Sequence, residues 1–348
     1  MIARKIDDGL SRRDFMGSVA GAGAVAAVSR ASALAANPQP AADTARPDWS
    51  KVRGFNYQPS FGSNGLQTWI DKFDANAIDR ELGLGRRYFP RINTVRLWLW
   101  HDAFFRNRRQ FVKNFEAVLK SCEKYGLKAV PVLFNDWHSV PDFGGISPEM
   151  IDYWFNKSEK GHGSDYIFRP YLEAMFQGYG ADQRILAWDL CNEPFNNGRD
   201  VFVEWLRHTY ALGKSLGAKQ PMGVSVATSI DDLQLVEPCS DVLMIHPYFA
   251  ESHPWEQIMA FARKHGKQPL ATECLWGSLD DAVRAATIRR DLEVLSKHKI
   301  GFLAHALQES YVADLHRPQY GPVSSAGYMA FVNMDGSLRA GHDVFNQY

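Results

Sequence analysis

Ile185-Leu186-Ala187-Trp188-Asp189-Leu190-Cys191-Asn192-Glu193-Pro194 is the stretch on which the fold turns. It reads as a short apolar strand that ends abruptly on an amide, a carboxylate and a proline. A strand this apolar requires burial on both faces, as in a parallel sheet covered by helices. Pro194 lacks an N–H and biases Glu193 toward an extended backbone, so the ladder stops there. Glu193 is therefore expected at the C-terminal tip of a buried parallel strand, the end at which β/α barrels gather their functional groups.

A second strand of the same kind, Gln268-Pro269-Leu270-Ala271-Thr272-Glu273, runs into Cys274-Leu275-Trp276-Gly277. A β/α barrel uses roughly 30 residues per unit, which puts Glu273 about three units beyond Glu193 and across the barrel mouth from it. Either glutamate alone could cap a strand or pair with an arginine. Two on matching strand ends suit glycoside hydrolysis, one as proton donor and one as nucleophile. The nucleophile must stay ionised, which a nearby arginine favours. Arg96 lies inside the apolar run 92–100. A buried arginine without an acidic partner is very costly, so Arg96 implies a carboxylate beside it, either the nucleophile or a core acid such as Asp189.

The motifs Trp188-Asp189-Leu190-Cys191-Asn192-Glu193-Pro194 and Ala271-Thr272-Glu273-Cys274-Leu275-Trp276-Gly277 resemble the paired glutamate motifs of the clan A glycoside hydrolases. These are retaining (β/α)8 enzymes that include the family 5 cellulases and mannanases, and the likeness covers nearly the whole chain after its leader. The resemblance implies an acid/base role for Glu193 and a nucleophilic one for Glu273. It also carries the strand-two arginine onto Arg96, the sugar-binding asparagine onto Asn192, and the strand-six His-x-Tyr pattern onto His246 and Tyr248. Tyr248 is then expected to hydrogen-bond the nucleophile, and His246 to line the donor subsite. One position departs from the pattern. Family 5 enzymes usually carry a tryptophan near the end of strand eight, where this chain has His305 or Ala306, with Gln308 and Glu309 following. Trp276, Trp137 and Trp100 are the candidates to offer a stacking surface instead, and His138 beside Trp137 is a further candidate substrate contact.

The remaining segments alternate in the same rhythm. Strands are expected at 52–57, 92–100, 128–134, 222–227, 241–246 and 300–307, besides the two that carry the glutamates. Helices are expected near 74–84, 109–124, 166–179, 199–216, 255–265 and 279–297, with a closing helix at 342–348. Eight strands alternating with helices predict an α/β fold, a single (β/α)8 TIM barrel over 51–348. The connection between strands three and four is about twice the usual length. It holds Gly144-Gly145, Trp154 and His162, and is expected to form a lid or cleft wall.

With 45% hydrophobic and 22% charged residues in 348, the chain can bury a large core. Its formal net charge is zero, without a basic stripe or acidic tail, which argues against nucleic acid or an anionic membrane as partner. Residues 1–36 read as a twin-arginine signal peptide: Ser11-Arg12-Arg13-Asp14-Phe15-Met16, a Gly/Ala/Val run too short to anchor in a bilayer, then Ala33-Leu34-Ala35. A Pro/Ala-rich linker occupies 37–50. Export by the twin-arginine machinery to the periplasm or beyond is expected, with a carbohydrate as the mature protein's partner. Cys122, Cys191, Cys239 and Cys274 have no paired or metal-ligand spacing. Strand alternation puts Cys191 on the face of Glu193 and Cys274 opposite Glu273, so these two are expected to stay apart as free, buried thiols.

The expected function is a retaining glycoside hydrolase for β-linked glucan or mannan, needing no cofactor. Transglycosylation by the same residues is the alternative. A metal-dependent barrel hydrolase using His138, His246, Glu193 and Asp189 is a weaker one, because the first strand offers Gly54-Phe55-Asn56-Tyr57 rather than a His-x-His pair.

Overall fold

The computed structural model describes residues 47–137, 145–157, 162–195, 198–312 and 314–348. The leader, most of the linker and His138 lie outside the described residues, as do residues 138–144 and 158–161 of the lid expected after strand three and the side chains of Trp154 and His162. Pro47–Tyr348 is one compact unit. Its strands are β1 (Arg53–Tyr57), β2 (Thr94–Trp98), β3 (Lys128–Val132), β4 (Trp188–Asn192), β5 (Met222–Ala227), β6 (Leu243–His246), β7 (Pro269–Ala271) and β8 (Gly301–Ala304). They are all parallel and close in chain order into a barrel, with β8 pairing back onto β1. The TIM barrel expected from the alternation is the fold.

Outside the strands lie α1 (Ala75–Tyr88), α2 (His101–Arg106), α3 (Arg108–Lys124), α4 (Pro148–Ile151), α5 (His162–Tyr179), α6 (Arg199–Ser215), α7 (Ile230–Val236), α8 (Trp255–Lys264) and α9 (Asp281–Lys297). Asp74 caps α1 by accepting from the Asn76 and Ala77 N–H groups. The helix runs four residues past its expected end, and Arg86 and Arg87 in the last turn complement its dipole. The 3-10 turn His342–Gln347 replaces the expected closing helix. Sequence reading missed α2 and α7, because six or seven residues hold too few turns for an apolar repeat to register.

Burial follows strand alternation. On β2, Val95 and Leu97 face the helices, while Arg96 and Trp98 face the barrel axis, where the guanidinium lies 4.6 Å from the Trp98 ring centre. Val130, Ala187, Val242, Met244, Leu270 and Leu303 fill the axis below, closed at the bottom by Trp49. The functional side chains therefore stand on a packed apolar plug, which fixes their height in the barrel.

β4 breaks the alternation. Its register against β5 shifts between Asp189 and Asn192. Cys191 then packs in the apolar layer beneath the helices, not on the face of Glu193 as expected, and Asn192 turns inward. Glu193 itself has φ of 47°, left-handed rather than the extended backbone expected before proline. A non-glycine residue in that region persists only where its surroundings hold it, typically at functional sites. All four cysteines are free and buried.

His101 is fully buried against Phe134 and Phe168, and neither ring nitrogen makes a hydrogen bond. Burial pushes its pKa down to about 4, against the weaker pull of Asp102. A histidine lowered in the folded state is neutral when folded and takes up a proton on unfolding. Its contribution is present above the unfolded value near ~6.5 and is lost as pH falls toward the folded one. Lowering the pH from 7 to 5 is expected to remove roughly 2 kcal/mol through this residue. Urea unfolding of wild type and His101→Phe at the two pH values checks it. The variant should be distinctly less sensitive, and equal losses in both would count against the assignment.

Candidate active site

The site is built around Arg96, whose side chain is inaccessible to solvent. Its Nε and Nη2 donate to Asp189 Oδ2 at 3.0 and 2.8 Å. Nη1 donates to Glu273 Oε1 at 2.5 Å and to Asn56 Oδ1 at 2.7 Å. Nη2 also reaches Asn192 Oδ1 at 2.7 Å and Ser225 Oγ at 3.0 Å. The two partners foreseen as alternatives for this arginine, the strand-seven glutamate and Asp189, are both engaged. Burial opposes the charge on Arg96, and the two carboxylates more than restore it. Asn56, Asp189, Asn192 and Ser225 thus lock the guanidinium into one orientation, with one face left for Glu273.

Glu273 stands two residues beyond β7 and is 6% exposed. Its second oxygen, Oε2, accepts from the Tyr248 hydroxyl at 2.7 Å. The same oxygen lies 3.5 Å from His305 Nδ1 and 3.8 Å from His246 Nδ1. Burial alone would raise this carboxyl. The facing imidazoles of His246 and His305 and the Arg96 guanidinium outweigh it and hold Glu273 well below the usual carboxylate range. Burial and the Glu273 charge push Tyr248 far above an ordinary phenol, so its hydroxyl remains a donor.

Glu193, one residue past β4, has a different setting. His246 Nδ1 lies 2.5 Å from Glu193 Oε1, so His246 holds this glutamate rather than merely lining a subsite. Glu193, His246 and Glu273 each present one atom such that all three lie within 4.8 Å of one another. That spacing suits a sugar's anomeric carbon between two carboxyls. It could also hold a cation, but the Arg96 guanidinium already pairs with Glu273 and lies beside the position a metal ion would take, so like-charge repulsion opposes one there.

A cleft of about 680 Å³, the solvent-open space at its mouth included, lies over these groups. Asn192 lines it, its amide donating to Asn135 Oδ1 at 3.0 Å. Trp98, Trp137 and Trp276 present ring surface to it, and Trp137 is 44% exposed. Trp100 departs from expectation: it is buried in the apolar core, where a Cβ on Gly65 would meet it at 2.5 Å. Strict alternation would put Trp100 on the face of Trp98, but β2 ends at Trp98 and Trp100 caps α2, so its side chain leaves the barrel for the layer beneath the helices. Sequence reading missed Asn56, Asn135, Ser225, His305 and Asp314. Asn56 and Ser225 did carry a signal, each being a polar residue between apolar neighbours in a barrel strand. His305 occupies the place where the resemblance leads one to expect tryptophan, and puts an imidazole into the cleft instead.

No family model matches the chain. A probable mannan endo-1,4-β-mannosidase A from Aspergillus clavatus is 26% identical over 191 residues, 47% of this chain and 52% of that protein. Its counterpart from Aspergillus flavus is 22% identical over 220 residues, 56% of each. The chain spans about half the length of these curated relatives. Among solved structures, a GH5_18 protein from Streptomyces cattleya in complex with Manβ1-4GlcNAc superposes with TM-score 0.65 at 14% identity, covering 85% of this chain and 79% of that one. The exo-β-1,4-mannosidase Op5Man5 from Opitutaceae bacterium strain TAV5 gives 0.63 at 18% identity, over 85% and 58%. An endo-β-1,4-mannanase from Thermotoga petrophila gives 0.57 at 16%, over 86% and 77%. At these identities the solved structures establish the fold. The resemblance to clan A, family 5 glycoside hydrolases read from the two glutamate motifs thus has a counterpart in both comparisons: in sequence with mannan endo-1,4-β-mannosidases, in fold with family 5 barrels.

Proposed function

We propose that the chain is an O-glycosyl hydrolase that cleaves β-mannan-type glycans with retention of configuration. The observation that carries this is the approach of Glu193 and Glu273 to within 4.8 Å at the C-terminal mouth of the barrel, each with its own set of partners. Separations near 5 Å belong to the retaining mechanism, whereas inverting enzymes leave room for a water between the carboxyls. Glu273 has its charge secured by Arg96 and Tyr248 and is the nucleophile. It attacks the anomeric carbon as the glycosidic bond breaks, and Glu193 gives its proton to the departing oxygen. Glu193 then takes a proton from water, whose oxygen displaces Glu273 and restores the original anomer.

Asn192, oriented by Arg96 and Asn135, is placed to meet the 2-hydroxyl of the sugar. Trp276 and Trp137 offer apolar faces for pyranose C–H surfaces. His246 orients Glu193. The names of the curated relatives favour mannan over glucan. Residues 1–36 carry a twin-arginine export signal on this proposal, and among the described residues no helix is long and apolar enough to cross a membrane.

The test is a panel of aryl β-glycosides and soluble β-glycans with the first-formed anomer read by NMR. Hydrolysis of β-mannosides with the β-anomer appearing first is expected, ahead of β-glucosides. An α-anomer appearing first would exclude the two-step mechanism, and a sugar acceptor product in place of the free sugar would assign the chain to transglycosylation.

A further inference from the structure

The segment that follows β8 runs across the barrel mouth. Ala306, Leu315, Ala326 and Met329 form an apolar cluster against Tyr248 and Trp276, on the β6 and β7 side. Val312 joins this cluster and also packs on Trp98 and Val132, at the ends of β2 and β3. The strap is held in place along its length. Glu309 accepts from the Arg317 and Met334 N–H groups at 3.2 and 2.7 Å, Ser310 N donates to Leu315 O at 2.7 Å, and Met329 N donates to Asp314 O at 3.0 Å.

The wall it makes stands on one particular side of the reaction. In a double displacement, the sugar that becomes bonded to the nucleophile lies toward that carboxylate, and the departing part lies toward the acid. Tyr248, Trp276 and His305 flank Glu273, and the strap packs on the first two and starts from the third. It therefore bounds the space for the sugar that Glu273 captures.

Asp314 sits on the strap and lines the cleft. Its carboxylate has no hydrogen bond or ion pair to any other described residue, although Tyr248 is close enough to feel its charge. A half-buried carboxylate in a cleft that already holds two others needs donors, which solvent supplies while the cleft is empty. Neighbouring hydroxyls on a pyranose supply two, one for each oxygen.

Resting on the hydrolase reading above, we infer that the strap closes the cleft behind one sugar unit and that Asp314 binds the hydroxyls of that unit. The chain then acts at non-reducing ends, releasing one monosaccharide per cleavage, unlike the endo-acting enzymes its curated relatives are named for.

The experiment follows wild-type protein on β-1,4-mannohexaose labelled at the reducing end. Free unlabelled mannose and labelled pentaose should appear first, then labelled products shortened one unit at a time. Labelled products of every length appearing together would overturn the inference and leave the hydrolase reading standing. Failure to cleave any β-mannosyl or β-glucosyl substrate would instead overturn the hydrolase reading, and this inference with it. Asp314→Asn, which keeps the shape of the side chain, should raise KM about tenfold or more for both the hexaose and an aryl β-mannoside, with the melting temperature unchanged. An unaltered KM removes Asp314 from the proposal.

Discussion

Glu273→Ala is expected to lower turnover of an activated aryl β-mannoside by roughly 10⁴-fold or more, as loss of a covalent nucleophile does. Sodium azide should restore part of the rate. The small anion fits the space left by the carboxylate and attacks from that face, so the product is the α-glycosyl azide. Glu193→Ala should behave differently. With a leaving group that needs no proton, Glu273 still forms the glycosyl-enzyme, and azide then attacks from the opposite face to give the β-glycosyl azide. The contrast arises because the two oxygens lie within 4.8 Å but on different protein scaffolds, one set by Arg96 and Tyr248, the other by His246. NMR of the two azides is decisive. Exchanged anomers would reverse the roles, and no azide product from either variant would sink the covalent mechanism.

Arg96→Met is the second large effect. The substitution keeps much of the apolar stem but leaves Asp189 and Glu273 buried without their counter-ion. Removing one partner of a buried ion pair costs about 3–5 kcal/mol, because the orphaned charge stays desolvated. Denaturant unfolding at neutral pH should show that loss. The pH dependence should change as well. Glu273 is lowered in the folded state, so its stabilisation is present above the unfolded value near ~4.3 and lost as pH falls through the folded one. For the same reason the acid limb of kcat/KM should lie below the ordinary glutamate range in wild type. In Arg96→Met that limb should move toward neutral pH, since burial then acts with less opposition. A variant with wild-type stability and an unmoved acid limb would show that Arg96 neither carries the fold nor tunes Glu273.

Much of this site was legible before any coordinates. The two glutamates were legible as a pair, because two short apolar runs, each ending on an acid about three barrel units apart, read as buried strands reaching one polar rim. Arg96 was legible for the complementary reason, a permanent charge inside such a run. The inward turn of Asn192 was not, nor the packing of Cys191 beneath the helices, because simple alternation is interrupted by the register shift between Asp189 and Asn192. The His246–Glu193 contact was equally hidden, since it joins the ends of two strands 53 positions apart in the chain.

The sequence by itself determined the fold class, the order of the strands and which ends bear the acids. Those properties follow from local periodicity and burial, and these are written residue by residue. Only the tertiary structure decided which residues gather round each carboxyl, which tryptophans reach the cleft, and that the segment after β8 crosses from Trp276 to Trp98. That segment has no helix or strand repeat to betray its course. Its position is set by contacts with the finished barrel, and such contacts exist only once the distant strands have come together.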